Sequence, residues 1–172
     1  GLADRENAIP ATPDTVYQIA SISKTVAATG IMRLVEQGKL DLNAPAGQYL
    51  TRWQLPESIY DESGVTLRRL LSHSAGLSVH GYPGFEPDAA LPSLEEALSG
   101  QPLGPNYSVA VVAEPGQAFS YSGGGYTLLQ LIVEEVTGET FAEVMQKEVI
   151  DPLGLEHTSF VWREDLRSQT AK

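Results

Sequence analysis

The chain has 172 residues, 42% of them hydrophobic, which suits one globular domain or part of a larger one. Eleven Lys and Arg against twenty-two Asp and Glu leave a net charge of −11, which argues against nucleic acid and anionic membrane surfaces as partners. There is no cysteine for a disulfide or a thiolate, and no apolar run approaches the ~18 residues of a membrane-spanning helix.

The first patterned stretch is TVYQIA, residues 15–20. Val16 and Ile19 make it a strand or strand end. From Ser21 the period changes. Ile22, Val26, Ile31, Leu34 and Val35 fit a helix that stops at Gly38. Its first three turns are apolar nearly all round, the pattern of a helix buried on most sides. Gly30 gives a neighbour room to approach closely, at a helix-propensity cost of ~1 kcal/mol relative to Ala.

Residues 39–50, KLDLNAPAGQYL, read as loop, broken by Pro45 and Gly47. TLRRLLSHSAGL, 66–77, is a short helix with Thr66 as N-cap and Gly76 as stop. Residues 78–92 carry Gly81, Pro83, Gly84, Pro87 and Pro92 and read as a long irregular surface loop. SLEEALSG, 93–100, is a capping box of Ser93 with Glu96, closed by Gly100. A further loop follows through Pro102, Gly104 and Pro105 to the turn at Pro115 and Gly116.

GGYTLLQLIVEEVTG, 124–138, is a strongly amphipathic helix. Leu128, Leu129, Ile132, Val133 and Val136 form its stripe, Glu134 and Glu135 sit off it, and Gly138 ends it. Thr140 with Glu143 opens another helix, and DPLGL, 151–155, turns the chain. The whole is mostly helix and loop. An eight-stranded barrel or a doubly wound sheet does not fit.

Lys24 is the one charge between Gln18 and Met32, and it follows Ser21 by three residues. That spacing places both on one helix face, with Ser21 at the N-terminus, where unpaired N–H groups favour developing negative charge. A serine hydroxyl needs an adjacent base. A lysine, with a free pKa of ~10.4, serves as one only when burial favours its neutral form. On this reading Lys24 is a tuned base or proton relay for Ser21. The pattern alone is weak, since about one S-x-x-K match arises by chance in a chain this long.

Tyr121, in FSYSGGGY, precedes a glycine run that opens a helix. A phenol near a cation shares acid–base work, although a core tyrosine beside a turn is the commoner meaning of such a residue. The run Gly123, Gly124, Gly125 lacks the G-x-x-x-x-G-K-[ST] pattern of a phosphate cradle. His73, His80 and His157 have no metal-ligand spacing and read as structural. The pairs Glu95, Glu96 and Glu134, Glu135 lie on helix faces and read as solvated surface.

DTVYQIASISKTVAA, LLSHSAGL, PGQAFSYSGGGYTLLQLIVEEVTG and VIDPLGLEHTSF, in that order, resemble the serine β-lactamase-like hydrolases of the class C type. That group includes penicillin-binding DD-peptidases and related esterases. The resemblance implies an α+β fold of the serine β-lactamase/DD-peptidase type, with this segment mostly α-helical and most of the antiparallel sheet missing. It divides residues 1–172, one incomplete hydrolase domain, into strand end and nucleophile helix (1–40), helical domain (41–160) and the start of a return to the sheet (161–172).

Position by position, the resemblance makes Ser21 the acyl-accepting nucleophile, Lys24 its proton partner and Tyr121 the base or proton shuttle. At the substrate-binding position where the family usually has Asn, whose side-chain amide orients the lysine or the substrate, this chain has Gly123, which tilts the reading toward the esterase-like branch. The family's late-strand Lys- or His-Thr/Ser-Gly motif and its oxyanion donor fall outside these residues, so the segment alone is expected to be inactive. The resemblance implies no metal or cofactor, a small-molecule or peptide substrate, and a periplasmic or secreted bacterial setting. The competing reading is a non-catalytic penicillin-recognising sensor or a degenerate hydrolase acting as a binding module.

Overall fold

A computed structural model describes residues 1–85 and 89–172, so Pro87 of the expected loop lies outside the described residues. The chain forms two compact units, Gly1–Arg33 with Ala142–Lys172, and Leu34–Phe141.

The first unit opens with an antiparallel pair, β1 (Leu2–Asp4) and β2 (Ile9–Pro10). Neither is long enough to show an alternating pattern. Their turn is set by Asp4, whose carboxylate accepts from the Asn7 N–H at 3.0 Å and from Asn7 Nδ2 at 2.8 Å. The strand expected over 15–20 reduces to one parallel bridge between Val16 and Thr170. Two apolar residues do not fix a strand, and the chain already curls at Ala20, whose φ of +46° is left-handed.

After a 3₁₀ turn at Ala20–Ile22 comes α1 (Ser23–Glu36), and Gly38 follows it at φ +71°. Burial of α1 is one-sided, contrary to the pattern. Ala27, Gly30, Ile31 and Leu34 form the buried stripe, while Ile22 and Met32 remain 65% and 46% exposed. Thr25 and Thr29 on the open side are small and hydroxylic, so a nearly uniform apolar pattern did not mean uniform contact. Gly30 meets its expectation. A Cβ there would lie 2.5 Å from Met145 Sδ. Met145 ends α5 (Phe141–Met145), which runs on as a π-turn through Gln146–Ile150.

In the second unit α2 (Leu67–Leu71) and α3 (Leu94–Leu98) pack on α4 (Gly123–Thr137). Leu128, Leu129, Leu131, Ile132 and Val133 of α4 are at most 1% exposed. Adding Leu131 makes the buried face wider than the expected stripe, because neighbours cover it on more than one side. Thr66 caps α2, and Ser93 with Glu96 forms the full capping box of α3. Stretches read as loop contain 3₁₀ turns at Ala46–Tyr49 and Pro105–Tyr107, and a further one lies at Glu62–Gly64.

The helix expected to run toward Gly76 ends at Leu71. His73 at φ +55° and Gly76 at φ +70° both lie in the left-handed region, which no α-helix tolerates.

The acidic pairs are also corrected. Glu135 accepts from the Thr51 N–H at 2.9 Å, the Arg52 N–H at 2.7 Å and the Thr51 hydroxyl at 2.6 Å. Arg52 reaches Glu134 at 2.8 Å and Glu95 at 2.9 Å, and the Glu96 side chain closes its own capping box. Glu95, Glu134 and Glu135 clamp a loop whose N–H groups have no ladder partner, and these three are not solvated surface, whereas Glu96 is exposed as expected. Burial pushes the Glu135 carboxyl up, but bonds from Thr51 and Arg52 and the Arg52 charge outweigh it, so the net shift is downward.

A carboxyl depressed on folding contributes stability above its unfolded pKa of ~4.3 and loses it as pH falls through the folded value. Glu135→Ala is therefore expected to cost about 2 kcal/mol at pH 7. The gap to the unsubstituted protein should narrow below about pH 4 in urea unfolding followed by circular dichroism. A gap that stays constant down to pH 3 would show that the clamp does not depend on charge.

Candidate active site

Ser21 sits in the 3₁₀ turn that leads into α1, directly after left-handed Ala20. That bend holds Ser21 exposed at the helix start, while Lys24 in the first turn of α1 is half-buried. Lys24 Nζ donates to Ser21 Oγ at 3.0 Å. The three-residue spacing thus brings amine and hydroxyl into contact on one face. A neutral amine would use the same contact in the opposite sense and accept the Oγ proton.

Tyr121 belongs to the second unit, at the entry to α4, and is half-buried. Its ring centroid lies 4.3 Å from that of His73 and 4.9 Å from that of His80. His73 fixes the turn from both its ends. Its Nδ1 accepts from the Ser122 N–H at 3.2 Å and its carbonyl from the Ser120 N–H at 2.7 Å. His73 is thus bonded to backbone, and its imidazole also packs on Tyr121. Sequence pattern alone gives no sign of either imidazole contact, because both depend on φ angles and loop paths that have no period. Tyr126, whose phenol donates to Leu71 O at 3.2 Å, has its pKa pushed up by burial and further by the neighbouring Tyr121 phenol.

Gly123 opens α4. Its N–H donates to His80 O at 3.0 Å, that of Gly124 to Val79 O at 3.1 Å, and that of Gly125 to Ser122 Oγ at 3.0 Å. The first-turn donors of α4 are thus spent on protein acceptors, which is why the glycine run is no phosphate cradle. Among the described residues no group of three or more His, Cys, Asp or Glu could hold a metal ion. His157 pairs with Asp14 at 3.6 Å. No helix among the described residues is long and apolar enough to cross a membrane.

A serine and a lysine thus lie in contact at the start of one helix, and a tyrosine is held at the entry to another. A family model described as beta-lactamase matches residues 1–172, and the chain belongs to that family of β-lactamase-like hydrolases, penicillin-binding proteins and esterases. It is 32% identical to esterase EstB of Burkholderia gladioli over 97% of this chain and 44% of that protein. To a putative penicillin-binding protein, PbpX of Bacillus subtilis, it is 30% identical over 93% of this chain and 37% of that protein. The solved structure of EstCE1, a hydrolase with promiscuous acyltransferase activity, superposes with a TM-score of 0.79 at 29% identity, over 99% of this chain and 46% of that one. The fold is accordingly that of the β-lactamases and penicillin-binding proteins, and the chain spans less than half the length of these relatives.

Proposed function

We propose that the full-length protein is a serine hydrolase that works by acyl transfer, with a small ester as its preferred substrate. The observation that carries this reading is the 3.0 Å contact between Lys24 Nζ and Ser21 Oγ at the start of α1. Ser21 Oγ attacks the ester carbonyl carbon and gives its proton to neutral Lys24. The tetrahedral adduct collapses, the C–O bond to the alcohol breaks, and the leaving oxygen takes a proton by way of Tyr121. Water then attacks the Ser21 ester, losing a proton to the same pair, and releases the acid. EstB is named an esterase, and Gly123 offers no side-chain amide to a peptide or β-lactam; both support the choice of ester.

The test compares p-nitrophenyl butyrate with a chromogenic cephalosporin on the full-length protein. Ester hydrolysis is expected to exceed cephalosporin hydrolysis in kcat/KM by about tenfold or more, an advantage of ~1.4 kcal/mol. Faster cephalosporin turnover would reverse the substrate ranking. An acyl-enzyme that accumulates on both substrates without turnover would favour the sensor reading.

A further inference from the structure

We propose that His80 is a positioning residue for the Tyr121 phenol, delivered by a strained strap, residues 78–81, that can dock only because α4 opens on Gly123 and Gly124. This rests on the reading of Tyr121 as a proton carrier. A phenol that passes a proton must hold its oxygen within a few tenths of an ångström, and its ring is free to swing about two torsions unless something packs on it. His73 supplies one ring at 4.3 Å and His80 a second at 4.9 Å, tilted by 48°.

The His80 side chain is exposed, so burial of its own surface does not explain where it sits. Its backbone is over-determined instead. Ser78 donates its N–H to Ala110 O at 2.9 Å and its hydroxyl to Ser108 O at 2.9 Å, which anchors the strap at one end. Ser122 Oγ donates to Ser78 O at 2.7 Å, and the N–H groups of Gly124 and Gly123 hold the carbonyls of Val79 and His80. Between these anchors Val79 adopts φ +62°. A β-branched residue is a genuine outlier there, and such strain persists only where surrounding bonds enforce it.

The glycines complete the case. A Cβ at Gly123 would lie 3.0 Å from His80 O and 3.2 Å from Gly81 Cα. One at Gly124 would lie 2.6 Å from Val109 Cγ2 and 3.1 Å from Val79 Cβ. Any side chain at either position pushes on the strap, and with it on the imidazole beside Tyr121. Gly123 and His80 thus act together: the first removes a side chain so that the second can reach the phenol.

The experiment uses the full-length protein, p-nitrophenyl butyrate and the variants Tyr121→Phe, His80→Ala, His80→Gln, His80→Phe and Gly123→Ala. His80→Ala is expected to lower kcat about tenfold with KM within about twofold, the signature of a displaced group that does not bind substrate. His80→Gln, polar but without a ring, should behave like His80→Ala, and His80→Phe should recover most of kcat. Gly123→Ala should lower kcat similarly, and the double variant with His80→Ala should fall no further than either single change, since both break one arrangement. A His80→Ala protein that keeps kcat within about twofold, while Tyr121→Phe loses it, overturns the positioning role and leaves the hydrolase reading intact. A Tyr121→Phe protein with full kcat overturns the proton role of Tyr121, and the inference falls with it.

Discussion

Replacing Ser21 with alanine is expected to lower ester turnover by the full-length protein at least about 10⁴-fold and to abolish labelling by a fluorophosphonate probe. Ser21 Oγ lies 3.0 Å from the Lys24 amine, and Ser21 is exposed, so its loss removes chemistry without opening a core cavity. Lys24 separates the roles more sharply. Lys24→Ala is expected to cost about 10³-fold in kcat, within the range for a lost base. Lys24→Arg keeps the positive charge and the stem but cannot become neutral, because a guanidinium does not deprotonate in proteins. It should be as inactive as Lys24→Ala. An arginine variant that retains most of the activity would mean that Lys24 acts as a fixed charge, and the base assignment would fail. Unchanged circular dichroism in all three variants checks that only the site has been altered.

The largest stability effect is expected at Gly76. It sits at φ +70°, a conformation that costs an L-residue about 1–2 kcal/mol. A Cβ there would run into the carbonyl oxygen of Ala113, with the Ala113 carbonyl carbon at 2.9 Å. That obstacle is backbone, pinned because the Val112 and Ala113 N–H groups both donate to Gly76 O, at 2.8 Å and 3.2 Å. Overpacking of that kind adds about 1–3 kcal/mol, so Gly76→Ala should destabilise by about 2–5 kcal/mol. Urea unfolding should show a lower midpoint with an unchanged slope. Gly47→Ala is the control. A Cβ at Gly47 meets nothing within 4 Å, and its cost should stay below about 1 kcal/mol. Equal losses from the two substitutions would show that the Gly76 turn yields easily.

The long helices were legible because period and punctuation agree. Apolar positions in α4 recur at helical spacing and Gly138 ends it at φ +71°, while the Ser122 cap is seen only in the structure. The capping box of Ser93 and Glu96 likewise announces a helix of only five residues. What escaped has no period. The strands Leu2–Asp4 and Ile9–Pro10 are too short to alternate, and the 3₁₀ turns lie in stretches that Pro and Gly mark only as irregular. Glu134 and Glu135 looked solvated because a helix wheel shows which face they occupy but not the loop at Thr51 and Arg52 that comes to them. At the site, a spacing of three residues was enough to join Ser21 to Lys24. The imidazoles beside Tyr121 come from residues more than forty positions earlier in the chain, on backbone bent into the left-handed region at His73 and Val79, and no local pattern encodes that.

The close fit of Gly30 against Met145 gives the two methionines opposite susceptibilities to oxidants. Met32 is 46% exposed, and a sulfoxide there would project into solvent and leave the protein otherwise undisturbed. Met145 is fully buried, with its sulfur where even a single added carbon on Gly30 would not fit. A sulfoxide oxygen at Met145 would act as a wedge two turns from Ser21, forcing α1 away from α5. Peroxide is therefore expected to oxidise Met32 well before Met145, whose oxidation would pry α1 away from its neighbour.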